Sequence, residues 1–191
     1  KWISLVNVTA NDTAYGTPVS VVVNVGENQT GFVTIHVNDN KYSAKIVNGT
    51  AAFTLTGLDV GRCRINVTYE GDDTYESQTN YTYFNVTKAD FNVTVVAQNV
   101  TVEQNASFLI VVPADFDGKV NITVDGKTYT RSITYPVEIA KLLAGNKNAT
   151  LVFYNSTKYA VKQVNVTFTV SRVDPTINVR INDTTYPYKA V

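Results

Sequence analysis

An internal repeat constrains this chain more than any other feature. Gly31-Phe32-Val33-Thr34-Ile35, running on to Tyr42, returns 87 positions later as Gly118-Lys119-Val120-Asn121-Ile122, running on to Tyr129. A second stretch begins with Leu58 and Gly61, alternates through Cys63, Ile65, Val67 and Tyr69, and closes with Gly71-Asp72-Asp73 and Tyr75. It returns in weaker form 84 positions later as Leu142, Gly145, Ala149, Leu151, Phe153 and Tyr159. A third match, Asn11-Asp12-Thr13-Ala14-Tyr15 with Asn182-Asp183-Thr184-Thr185-Tyr186, is displaced by 171, the sum of the other two offsets. The three-residue difference falls between Tyr42 and Gly61, where one copy has Asn48-Gly49 and the other Tyr135-Pro136. Three matches on one period divide the chain into a first copy, 1–87, a second, 88–173, and the opening of a third, 174–191. A copy of about 85 residues is long enough to bury its own core, unlike the units of a solenoid. With no initiator Met or leader-like segment, and with a third copy only begun, the sequence reads as part of, or a product processed from, something longer.

Within each copy the apolar residues alternate. The first copy opens on Ile3 and Leu5 or on the Val6/Val8 pair, and continues through 18–25, Val33-Ile35-Val37, Tyr42-Ala44-Ile46, 52–55, 62–70 and 81–86. The second repeats the order at 91–96, 106–112, 119–124, 128–133, 136–143, 149–154 and 161–170. Only Glu138 to Leu143 has a helical flavour, over too short a span to nucleate. Short strands at regular spacing with turn residues between them predict an all-β chain. Roughly seven strands per copy fit tandem immunoglobulin-like β-sandwiches. The junctions Val86-Thr87-Lys88-Ala89-Asp90 and Val170-Ser171-Arg172-Val173-Asp174 are short and free of Gly, so the sandwiches are expected to stand end to end as a stiff rod.

The pattern G-L-x-x-G at Gly57-Leu58-Asp59-Val60-Gly61, the alternating strand ending in Tyr69 and the Gly71-Asp72-Asp73-Thr74-Tyr75 loop together resemble the immunoglobulin-like repeats of adhesin-like surface proteins of methanogenic archaea, which are related to bacterial surface repeats. The resemblance covers both full copies and is closer in the first; in the second the Gly-Asp-Asp loop has become Asn155-Ser156-Thr157. It implies an extracellular, cell-surface location and neighbouring repeats or identical subunits as partners. Where such repeats place an aromatic two positions after the glycine, this chain has Cys63 and Lys147.

Asn-x-Ser/Thr triplets are the most frequent motif: 15 of the 20 asparagines begin one, about four times the chance expectation. Alternation alone favours outward Asn and Thr around an inward apolar residue, but Asn is depleted in strands, so period does not explain why it was used. Candidate N-glycosylation sites are Asn7, Asn11, Asn28, Asn48, Asn66, Asn92, Asn99, Asn121, Asn155, Asn165 and Asn182. Of these, Asn66, Asn121 and Asn165 alternate with apolar neighbours and are expected to face solvent, whereas Asn80 aligns with an inward position, Val164. Tyr81 and Tyr83 fall on an outward face as a candidate surface contact, against the alternative of cross-strand packing.

The single cysteine excludes a disulfide within the chain; Cys63 is in register with Ile65 and Val67 and is expected in the core, while the lone histidine, His36, is out of phase with Val33, Ile35 and Val37 and expected in solvent. Glu70, Asp72 and Asp73, and Asp115 with Asp117, read as solvated turn residues rather than a calcium cage. No metal or cofactor site is expected, and no catalytic constellation recommends an enzyme. Zero formal net charge without a basic run argues against nucleic acid, and no apolar run approaches the length of a membrane span, so no membrane contact is expected within this segment. The function expected is a stiff, glycosylated stalk in a surface adhesin or filament. The alternatives are a pilus-like subunit assembled by donation of the strand around Ile177-Val179-Ile181, and a carbohydrate-binding module engaging host or cell-wall carbohydrate.

Overall fold

Residues with side chains on alternate sides can cover one face only, so each run of alternating Val, Ile and Phe must pair with another layer. In the computed structural model, which describes residues 1–180, those runs form sixteen strands and no helix. The first copy contains β1 (Asn7–Ala10), β2 (Thr13–Ala14), β3 (Val19–Asn24), β4 (Phe32–Val37), β5 (Asn40–Lys45), β6 (Thr50–Leu55), β7 (Gly61–Tyr69) and β8 (Gln78–Thr87). The second contains β9 (Thr94–Ala97), β10 (Val100–Thr101), β11 (Asn105–Val111), β12 (Lys119–Val124), β13 (Lys127–Ser132), β14 (Val137–Lys141), β15 (Gly145–Tyr154) and β16 (Lys162–Ser171).

Each copy is a sandwich of a three-stranded and a five-stranded sheet, in the same order. The first has β1-β3-β6 against β2-β8-β7-β4-β5; the second has β9-β11-β14 against β10-β16-β15-β12-β13. Two separate cores result. Val21, Val23, Ile35, Leu55, Ile65, Tyr69 and Phe84 fill one, and Phe108, Ile122, Ile139, Leu151, Phe153 and Phe168 the other. Each such fully buried side chain stabilises its sandwich by roughly 1.5–3 kcal/mol relative to an exposed one.

Each copy has eight strands rather than seven, because its first strand is divided between the sheets. After pairing antiparallel with β3, the chain crosses over so that β2 runs parallel to β8, with Thr13 opposite Val86; β10 does the same beside β16. Two-residue parallel pairings leave no periodicity to read. The opening of the first copy also resolves onto Val6 and Val8, which are buried, while Ile3 and Leu5 are 74% and 86% exposed. The two pairs lie on opposite parities, and the inward one continues Ser4, whose hydroxyl donates to the Val25 carbonyl. Residues Val137–Lys141 form β14 and not a helical turn.

Backbone bonds repeat with the sequence. Trp2 is clipped between Thr74 and Glu76 by bonds of 2.9 Å and 2.9 Å, and Ala89 between Lys158 and Ala160 by bonds of 3.0 Å and 2.9 Å. Beyond Ser171, residues 172–180 belong to no strand, and Ile177 and Val179 are exposed; Ile181, Asn182 and Tyr186 lie outside the described residues.

Candidate functional site

Among the described residues, polar chemistry gathers at the sandwich ends and on the outer faces of the five-stranded sheets. At the leading end of the first sandwich the Asp72 carboxylate is the centre of a loop. It accepts the backbone N–H groups of Thr74 (2.8 Å) and Tyr75 (2.7 Å) on one oxygen, and the N–H (2.9 Å) and hydroxyl (3.2 Å) of Thr30 on the other. Asp72 is therefore a clasp joining the β3–β4 and β7–β8 loops, not a merely solvated turn residue. The Thr30 and Tyr75 N–H groups hold it well below the usual carboxylate range. Gly71 makes the loop possible: its φ is +81°, and a Cβ there would lie 2.8 Å from the Ser77 nitrogen.

The second sandwich has the same clasp with its polarity reversed. Asp117 stands where the first copy has Thr30, and Ser156 where it has Asp72. Ser156 Oγ accepts the N–H groups of Lys158 (3.1 Å) and Tyr159 (3.0 Å), as the carboxylate does in the first copy, and donates its own proton to Asp117. Thr157 adds its N–H and hydroxyl to the same carboxylate. The hydroxyls of Ser156 and then Thr157 hold Asp117 down to about 2.

Asp115 joins the two sandwiches. Tyr15, beside the end of β8, donates to Asp115 Oδ2 at 2.8 Å, while Tyr159 donates to Oδ1 at 2.7 Å and Lys158 Nζ lies 3.2 Å from Oδ2. The Tyr15 and Tyr159 rings meet edge to face, 5.8 Å apart at 80°. The Tyr159 and Tyr15 hydroxyls hold Asp115 down to about 2, and the same carboxylate pushes Tyr159 up to about 12. Tyr159 is in turn seated on Phe91 (5.3 Å) and Phe116 (6.1 Å), so the second sandwich's core aromatics form the floor of this joint.

The outer faces of the five-stranded sheets differ between the copies. On the first, Tyr81 and Tyr83 are 55% and 41% exposed, stand edge to face 5.8 Å apart, and carry Arg64 and Arg62 over their rings at 4.5 Å and 3.9 Å. The arginines were not singled out by sequence; Arg62 and Arg64 share the outward parity of Asn66, a signal that was available. His36 is exposed on the same face.

Among the candidate glycosylation sites, Asn7, Asn11, Asn28, Asn48, Asn66, Asn92, Asn99, Asn155 and Asn165 are exposed and Asn121 is half-buried; Asn182 lies outside the described residues. Asn121 and Asn165 accept threonine hydroxyls through Oδ1, at 2.6 Å and 2.8 Å, which leaves their amide nitrogens, the atoms a glycan would take, outside those bonds. Asn80, expected to face inward, pairs with buried Val67 but is itself exposed; its Nδ2 donates to the Val6 carbonyl at 2.7 Å, which occupies the atom a glycan would take. Cys63 is buried, and burial pushes its thiol up; its counterpart Lys147 is also buried and reaches Asp125 at 2.6 Å. Among the described residues no three His, Cys, Asp or Glu side chains gather to hold a metal ion, and no helix is long and apolar enough to cross a membrane.

No family model matches the chain, and no curated protein sequence does. Several solved structures resemble it. The fibronectin(III)-like modules of Clostridium thermocellum CbhA match at 18% identity, covering 91% of this chain and 100% of that one, with a TM-score of 0.36. A structure of Yersinia pseudotuberculosis adhesin InvE matches at 16% identity over 87% of this chain and 59% of that one, with a TM-score of 0.41. A bacterial ice-binding adhesin matches at 14% identity over 89% and 66%, with a TM-score of 0.38.

Proposed function

We propose that this chain is a stiff, glycosylated stalk segment of an extracellular surface protein, of the adhesin-like class its repeats resemble. The observation that carries the reading is the joint. A Gly-free connection is locked on one side by the Ala89 clip and on the other by Tyr15, which reaches the carboxylate of the next sandwich. Load passing along such an array runs through β-sheet hydrogen bonds and this joint rather than through a free linker. Small-angle scattering of the two-sandwich chain tests the reading: an extended particle with little flexing is expected, and a folded-back or freely hinged pair would overturn it.

The sugar coat is proposed from the excess of triplets and their placement on exposed positions. Glycopeptide mass analysis of native protein should find glycans at some of Asn66, Asn121 and Asn165. Unmodified asparagine at all three would remove the coat while leaving the stalk standing.

A further inference from the structure

The first 87 residues carry five Lys and Arg against eight Asp and Glu, so this copy is acidic as a whole. Four of the five cations nevertheless stand on one surface, the outer face of β5-β4-β7-β8. Lys41 and Lys45 lie on β5 with the outward parity, opposite His36 and Phe32. Arg62 and Arg64 lie on β7, with Tyr81 and Tyr83 beside them on β8. No Asp or Glu shares the interior of that face: Asp39 sits in the β4–β5 turn, Glu70 at the end of β7, and Asp12 at the edge, bonded to Asn85. Among the described residues the three salt bridges, Lys147–Asp125, Lys158–Asp115 and Lys162–Asp90, all belong to cations of the second copy, and none involves the four on this face.

The second copy supplies the comparison. At the positions of Arg62, Arg64, Lys41, Lys45, Tyr81 and Tyr83 it has Asn146, Asn148, Thr128, Ser132, Asn165 and Thr167. The same scaffold therefore folds with neutral amides and hydroxyls at those six positions. The cations and rings of the first copy are not a requirement of the sheet; they occur together, on one face, unpaired.

We infer that the outer face of the first sandwich's five-stranded sheet is a docking surface for an acidic polysaccharide. Guanidinium forks recognise carboxylates and sulfates in two-pronged fashion, and stacking on tyrosine holds their planes in place. Arg62 and Arg64 are spaced by two strand residues, about 7 Å; on β5, Lys41 stands level with Asn66 and Lys45 level with Glu70, so the lysines continue the charge along the face, from about 12 Å to about 30 Å from the arginines. That density suits a chain charged once per sugar or two and is far below the one charge per about 1.7 Å of duplex DNA. The two rings are perpendicular, which denies successive bases the parallel platforms of a single-strand nucleic-acid channel. This site is independent of the stalk's stiffness, since a stalk with a bare face would be equally stiff, but not of its coat: it requires Asn66, between His36 and Tyr81, to carry no glycan in the binding form.

The test uses the full chain made without glycosylation, so that Asn66, in the middle of the face, is unmodified. Binding is measured by calorimetry or retardation against polygalacturonate, chondroitin sulfate, neutral dextran and a single-stranded oligonucleotide. One or both acidic polysaccharides should bind at low salt and be released as salt rises, with dextran inert. The double variant Arg62→Gln/Arg64→Gln should raise the half-saturating concentration by about tenfold or more. Lys119→Gln, a change on the second copy, should leave it unchanged. If the arginine variant does not fold, as judged by its melting profile, Lys41→Gln/Lys45→Gln serves in its place. Absence of binding to both acidic polymers, unchanged binding by the variants, or preference for dextran or the oligonucleotide would overturn the inference.

Discussion

Cys63 and Lys147 occupy one position in two copies of the same sandwich, and they show how a single residue's environment can be satisfied in two ways. The thiol is small and is accepted as a hydrophobe. The lysine, 9% exposed, buries its stem in the same place and carries its ammonium to Asp125, in the turn between β12 and β13, at 2.6 Å. Removing the acid strands a charge, whereas replacing the lysine by an apolar chain of similar length does not. Asp125→Ala is therefore expected to destabilise the second sandwich by about 1–3 kcal/mol, and Lys147→Met by less than about 1 kcal/mol. Chemical denaturation compares the two; equal losses would show that the pair contributes nothing beyond packing. The inward parity of position 63 was legible in the alternation of Ile65 and Val67. The partner of Lys147 was not, because it comes from a turn 22 residues away that only the folded sheet brings near.

The elements were legible to the extent that they alternate. The long strands β3, β4, β7, β11, β12 and β15 carry their inward residues at every second position, as read from sequence. The short β2 and β10 were not, since two residues have no period, and Glu138 to Leu143 misled because its apolar spacing suits either structure. The clasps between loops lie at the same scale. Asp72 and Asp117 are both held below the usual carboxylate value, so the folded state binds fewer protons than the unfolded one as pH falls through the unfolded value of about 3.9. Their contribution is complete above about pH 5 and is lost progressively below about pH 4, later for Asp72, which is held lower, than for Asp117. Thermal melts between pH 6 and pH 2 should show both sandwiches losing stability below about pH 4. Asp117→Asn should lower the melting temperature of the second sandwich at neutral pH and flatten its acid dependence, leaving the first unaffected. An unaltered acid profile would show that other carboxylates govern it. Sequence reading assigned these residues to solvated turns because Thr30 is 42 positions from Asp72, and the hydroxyl-carboxylate exchange emerges only when both copies are aligned at both offsets.

For the whole molecule, the repeat was legible from three matched stretches, and the joint was not. Tyr15 and Asp115 lie 100 residues apart, in different copies, and the second copy has Val102 where the first has Tyr15, while the first has Asn28 where the second has Asp115. Tyr15→Ala should leave both sandwiches folded and increase the flexing seen by scattering; a scattering profile identical to the parent chain would place the stiffness in the connection alone. The reversed clasps act at the same scale, on folding itself. Adjacent copies with one topology invite an exchange in which a hairpin from one completes the other. Here such an exchange would set Asp72 against Asp117 in one hybrid, two carboxylates facing each other, and Thr30 against Ser156 in the other, with no charge at all. Only the chain's own pairing gives each loop its complement, so the carboxylate's change of loop tells the two copies apart and penalises an exchange of hairpins between them.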